Sequence, residues 1–118
     1  MSSAGESLAA ATAASESGKP GRVSWTLDDH RAGFLKSGES IQLAAERLRH
    51  LAIEGMLANC CMPETITAAM PALVANGARF SGGYANTFET PPPGWTLLLE
   101  EPPRSTVQPG TEGPWRIC

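Results

Sequence analysis

The sequence predicts an α/β fold of about three β/α units. Two observations carry this reading. Helix-forming and strand-forming segments alternate along the chain, in the order helix, strand, helix, strand, helix, strand. The connections between strand candidates are helical and long enough to return the chain to the same end of a sheet, so the strands run parallel through right-handed crossovers. Three parallel strands alone leave two unpaired edges and one uncovered face, which marks the pattern as part of something larger.

Residues 4–17 are rich in Ala, Leu and Glu and predict a helix, stopped by Gly18-Lys19-Pro20-Gly21. Residues 22–27 (RVSWTL) are β-branched and aromatic, ended by the turn formers Asp28-Asp29-His30, and predict the first strand. Ser37-Gly38-Glu39-Ser40 offers N-cap chemistry. Ile41, Ala44, Ala45, Leu48 and Leu51 then recur at helical spacing and predict an amphipathic helix. The short apolar run 55–60 (GMLANC) predicts the second strand.

Pro63 suits a first helical turn, Glu64 complements the helix dipole, and Ile66, Ala69, Met70, Leu73 and Val74 form an apolar stripe up to Asn76-Gly77. Pro71 inside that stripe is expected to kink the helix. Residues 79–88 (RFSGGYANTF) predict the third strand, with Gly82-Gly83 suggesting a bulge or a close backbone approach. Beyond it, Pro-rich turns flank one apolar segment at 95–99. Residues 1–100 are expected to hold the ordered domain, and 101–118 a Gly/Pro/Thr-rich tail with little order.

Composition narrows the function. The chain has 118 residues, 42% hydrophobic, with 12 acidic and 9 basic side chains. That suffices for one small domain. There is no Lys/Arg block to neutralise phosphates or anionic lipid, so neither nucleic acid nor a membrane surface is an expected partner. Glu46, Arg49 and Glu54 interrupt the apolar stretches well short of the roughly 18 residues of a spanning helix. The first 14 residues lack the basic and Leu-rich parts of a signal peptide, and three cysteines, two of them adjacent, make no disulfide framework. A reducing cytoplasm is the expected location.

Ligands of parallel α/β proteins bind beyond the carboxyl ends of the strands, which points to Thr26-Leu27-Asp28, Asn59-Cys60-Cys61 and Tyr84-Ala85-Asn86. A cysteine at such an end is a metal ligand or nucleophile when deprotonated, or an inert packed thiol. His30 and His50 read as surface residues, one in a polar loop and the other in the last turn of a helix. Asp28-Asp29 reads as a capping turn rather than an acid/base pair. Gly82-Gly83 lacks the lysine and helix start of a phosphate loop. Trp25, Trp95 and Trp115 have no periodicity and read as packing residues.

The strand end Ser24-Trp25-Thr26, the Ser37-Gly38-Glu39 before a helix, the Asn59-Cys60-Cys61-Met62-Pro63-Glu64 junction and the Gly83-Tyr84-Ala85-Asn86-Thr87-Phe88 strand occur in that order. In combination, over roughly residues 8 to 90, they resemble the zinc-dependent homocysteine S-methyltransferase family. The resemblance implies a (β/α)8 barrel, of which this chain would supply three of eight strands, the fifth to the seventh. A full barrel takes about 250 residues.

The resemblance further implies zinc at the barrel mouth, held by three cysteine thiolates, with Cys60 matching the first. Thr26, Asn59, Tyr84 and Asn86 would line the mouth near the substrate. Zinc bound to the homocysteine thiol removes its proton, which makes a thiolate able to accept a methyl group at neutral pH. The donor would be S-methylmethionine, S-adenosylmethionine or a betaine-like compound, and the product methionine. The family's Gly-Gly-Cys-Cys motif, which supplies the other two ligands, is absent: Gly82-Gly83 is followed by Tyr84-Ala85. Cys61 is expected to point away from Cys60, and Cys118 lies in the tail. The alternatives are a non-catalytic α/β fragment that acts by strand-edge association, including self-association, and a chain that barely folds alone.

Overall fold

Two of the three helices among the described residues start where side-chain oxygens meet their free N–H groups. The computed structural model describes residues 1–86. Helix α1 (Ala4–Ser15) is capped by Ser3, whose Oγ accepts from the Glu6 N–H. Glu39, distant in sequence, accepts from the Ala4 N–H at 2.7 Å through Oε2. Ser40 caps α2 (Ile41–Arg47), accepting from the Leu43 N–H. The Ser-Gly-Glu-Ser segment therefore organises two helix starts at once. Helix α3 (Pro63–Ala75) opens with proline in its first turn and stops at Gly77, where φ of 75° favours a residue without a side chain.

The strands are β1 (Gly21–Trp25), β2 (Ile53–Cys61) and β3 (Phe80–Ala85), forming a parallel sheet in the order β1-β2-β3. The expected α/β class, element order and parallel topology are all present. Met1 adds one rung to the outer edge of β1: its amino group donates to the Ser24 carbonyl, and its carbonyl accepts from the Thr26 N–H.

Several boundaries differ from expectation. Strand β1 stops at Trp25, and Leu27 instead bridges Leu35 in the following loop, buried against the core. Helix α2 ends at Arg47, so His50 stands in an exposed turn beyond it rather than in its last turn. Strand β2 begins at Ile53, with a register shift opposite Gly21/Arg22. Helix α3 continues through Pro71, which is exposed, so water can solvate the carbonyl that lost its partner. The expected strand end at Thr87-Phe88, the 95–99 segment and the 101–118 tail lie outside the described residues.

Registered partners in a parallel sheet point to the same side. Trp25, Ala58 and Gly83 share one side, as do Val23, Met56 and Ser81. All three helices pack on that side. Trp25 is fully buried, and its indole N–H donates to Ser7 Oγ of α1 at 2.6 Å. A Cβ on Gly83 would sit 2.5 Å from Ile66 Cγ2 of α3, which accounts for glycine there. The other side carries Ser24, Leu57, Asn59 and Tyr84, and among the described residues no helix covers it.

Candidate functional site

The carboxyl ends of β1, β2 and β3 bring Thr26, Asn59-Cys60 and Tyr84-Asn86 to one end of the sheet, as the strand-end argument anticipated. Asn59 is in register with Tyr84, whose side chain is 62% exposed. Just beyond β3, the Asn86 N–H donates to the Cys61 carbonyl at 2.9 Å and extends the ladder by one rung. Thr26 is half-buried. Its backbone is tied on both sides, to the Met1 carbonyl and to the Lys36 N–H.

The ladder breaks between Asn59 and Cys61, where Cys60 takes φ of 56°. This left-handed bulge costs a non-glycine residue about 1–2 kcal/mol and inserts one extra residue opposite β3. Its consequence is a divergence of two neighbouring thiols. Cys60 is exposed, whereas Cys61 is fully buried in the core. Burial pushes the Cys61 thiol above its ordinary pKa, a rise only partly offset by a hydrogen bond from the Leu27 N–H. The expectation that Cys61 points away from Cys60 agrees with this arrangement.

Around Cys60 the open side of the sheet holds a short relay. Ser24 Oγ donates to Asn59 Oδ1 at 2.9 Å, and Asn59 Nδ2 donates to Cys60 Sγ at 3.0 Å. The hydroxyl fixes which end of the amide is acceptor, so the amide's donor end faces sulfur. Sequence reasoning placed Ser24 in a motif without a role. Its alternation with the buried Val23 and Trp25 was the available signal that it faces the open side.

The two aspartates serve the scaffold. Asp28 Oδ1 accepts from the His30 N–H, an Asx turn, and Asp29 Oδ1 accepts from the Met62 N–H and the Thr65 hydroxyl at the start of α3. They border a cleft of about 240 Å³ lined also by His30, Ala32, Glu64, Thr65 and Ala68; of the strand-end residues it includes Asp28 but not Thr26, Asn59, Cys60, Tyr84 or Asn86. Glu39 accepts from the Ala4 N–H and the Ser37 hydroxyl and lies 3.6 Å from Arg47. Chiefly the first of these holds its carboxyl below the ordinary carboxylate range.

A thiolate metal centre needs several donors on one spot. Among the described residues no group of three His, Cys, Asp or Glu side chains could hold a metal ion. Cys60 is a single exposed thiol, and its sequence neighbour lies in the core. The residues present therefore do not by themselves fit a three-thiolate zinc.

The profile of the family described as homocysteine S-methyltransferase matches residues 1–108. The chain belongs to the homocysteine S-methyltransferase family. Comparison with curated proteins and with solved structures returns no match. The family match extends past both ends of the motif-bearing stretch, to the first residue and into the Pro-rich segment after β3. Homocysteine S-methyltransferase membership makes the chain methyltransferase-like by kinship. Among the described residues no helix is long and apolar enough to cross a membrane.

Proposed function

We propose that this chain is a partial homocysteine S-methyltransferase domain, in which β1 to β3 correspond to the fifth to seventh strands of a (β/α)8 barrel. The open side of the sheet would be the barrel interior, and the carboxyl end of the strands its mouth. Homocysteine would bind there against Thr26, Asn59, Tyr84 and Asn86, with Cys60 as one zinc ligand. The observation that carries this reading is the exposed Cys60 thiol, held by Asn59 on the uncovered side of the sheet and level with the polar ends of the neighbouring strands.

In the net reaction, the methyl group leaves a sulfonium or quaternary ammonium donor and bonds to the homocysteine sulfur, which releases its proton. The donor class covers S-methylmethionine, S-adenosylmethionine and betaine-like compounds, and the product is methionine. The described residues offer one exposed thiol, short of the set of side chains a zinc centre needs. Within this reading the chain's own groups bind and orient: the Asn59 amide faces sulfur, and the Tyr84 hydroxyl and Asn86 amide are available to the amino-acid end of the substrate. A reducing cytoplasm would keep Cys60 a thiol.

Titration of the full chain with homocysteine, followed by two-dimensional amide NMR, tests the reading. Perturbations centred on Asn59, Cys60, Tyr84 and Asn86, absent with norleucine, are expected. No perturbation at saturating thiol, or one confined to the cleft beside Glu64, would overturn it.

A second reading, strand-edge association without catalysis, is favoured by the outer edge of β3, which pairs with no strand among the described residues, and by the outward Tyr84 and Phe80. It requires a concentration-dependent oligomer in light scattering. A metal-free monomer that melts cooperatively would remove it.

A further inference from the structure

We propose that Asn76-Gly77, at the junction of α3 and β3, is a site of self-modification, where the Asn76 amide becomes a carboxylate at a rate set by the opening of the last turn of α3. The reaction is independent of any methyl transfer at the strand ends. Its reagents are neighbours in sequence: the Gly77 nitrogen, unshielded by a side chain, and the Asn76 side-chain carbonyl. The Gly77 nitrogen bonds to Asn76 Cγ and closes a succinimide ring. The side-chain nitrogen leaves as ammonia, taking up the proton that Gly77 loses. One water then opens the ring at either carbonyl. The products are an aspartate at position 76 and an isoaspartate, whose backbone continues through the former side chain.

Three features of the folded chain hold this reaction back. At ψ of 1° Asn76 eclipses its own backbone nitrogen with that of Gly77, which keeps the attacking nitrogen away from Cβ and Cγ. The Gly77 N–H donates to the Val74 carbonyl at 3.1 Å. Asn76 Nδ2 donates to the Ala72 carbonyl at 2.6 Å and draws the amide back along α3. All three belong to one helix end, so they fail together when that end frays. Pro71 weakens the same helix, since it has no N–H for the Thr67 carbonyl. The other asparagines lack this chemistry. Asn59 and Asn86 precede Cys60 and Thr87, whose side chains shield the nitrogen, and the Asn59 amide is bonded at both ends.

The conversion has structural consequences. A carboxylate at position 76 has no N–H for the Ala72 carbonyl, and it places negative charge at the negative end of the helix dipole. Isoaspartate also adds a carbon to the backbone ahead of Phe80, where β3 enters its register on β2. Modified chains therefore loosen the junction that positions β3, and the change is irreversible.

The test is incubation of the full chain in heavy-oxygen water, in buffer and in guanidinium chloride, with peptide mass spectrometry over time and enzymatic detection of isoaspartate. The expected result is label at position 76 in both linkages, with a rate in buffer at least about tenfold below that in denaturant, as gating by local opening requires. Pro71→Ala, which returns an N–H to the Thr67 carbonyl, should slow the reaction in buffer further and leave the denatured rate unchanged. The parent comparison needs no variant to fold. No label at position 76, label at Asn59 or Asn86 first, aspartate as the sole product, or equal rates in buffer and denaturant overturns the proposal. An undiminished rate in buffer for Pro71→Ala, with its helix intact by circular dichroism, overturns the gate.

Discussion

Ser24 Oγ and Asn59 Oδ1 lie 2.9 Å apart across β1 and β2, joining residues 35 positions apart in sequence on the side of the sheet that no helix covers among the described residues. Through this bond a hydroxyl on one strand orients the amide that faces the Cys60 sulfur on the next. Hydrogen bonds of this kind contribute about 0.5–1.5 kcal/mol net.

Ser24→Ala should therefore lower stability by about that amount and free the Asn59 amide to rotate. The measurement is a urea transition together with the Asn59 side-chain NH₂ resonances. Those resonances should shift in Ser24→Ala and return toward the native position in Ser24→Thr, which restores a hydroxyl. Unchanged Asn59 resonances in Ser24→Ala would mean that the relay is not formed in solution.

The two adjacent cysteines should behave as chemically different groups. Iodoacetamide is expected to modify Cys60 rapidly and Cys61 only as fast as the chain opens, read by peptide mass spectrometry over time. Because the folded pKa of Cys61 is raised above its ordinary 9.0, its contribution to stability is full below that pH and is lost as pH rises through the folded value. A Cys61→Ala variant should lose less stability than the parent between neutral pH and the alkaline range.

Glu39 has the opposite sign. Its folded pKa lies below the ordinary 4.5, so the stability it contributes is present above that pH and is lost as pH falls through the folded value. Glu39→Gln should flatten the acid limb of a stability-against-pH curve and fray the start of α1, which depends on the Ala4 N–H bond. An acid limb identical to the parent's would assign the acid sensitivity to other carboxylates.

The two neighbouring glycines of β3 should separate cleanly. Gly83→Ala places a methyl group 2.5 Å from Ile66 Cγ2 and 3.2 Å from the Ala58 carbonyl oxygen, an overpacking expected to cost about 1–3 kcal/mol. Gly82→Ala meets only Leu57 Cδ2 at 3.8 Å and should be neutral or slightly stabilising. Thermal unfolding of the two single variants checks both.

Much of the architecture was legible in one dimension. Residue propensity, apolar runs and helical periodicity marked the three helices and three strands of the described residues, Ser40 and Pro63 announced two helix starts, and the crossover rule set the strands parallel. The strand-end rule brought Thr26, Asn59, Cys60, Tyr84 and Asn86 to one end of the sheet, and Asp28-Asp29 read correctly as capping residues. The misses were at ends. Leu27 looked like a strand residue because its apolar character suits a strand, yet it is buried by a loop that turns back through Leu35. Leu51 extended the helical spacing of α2 past the point where the chain leaves the helix at Leu48.

What the sequence determined by itself was whatever depends on near neighbours: the order and type of elements, the caps within a turn, the class of sheet, and the combination of motifs that marks a homocysteine S-methyltransferase relative. Tertiary structure alone decided what depends on register and on close approach. Asp29 reaches 33 residues along the chain to the Met62 N–H, Glu39 reaches back to Ala4, and Gly83 is required by Ile66. The divergence of Cys60 from Cys61 belongs to the same class. Two identical adjacent letters carry no sign of the bulge between them, because a bulge is a property of two paired strands and not of either one.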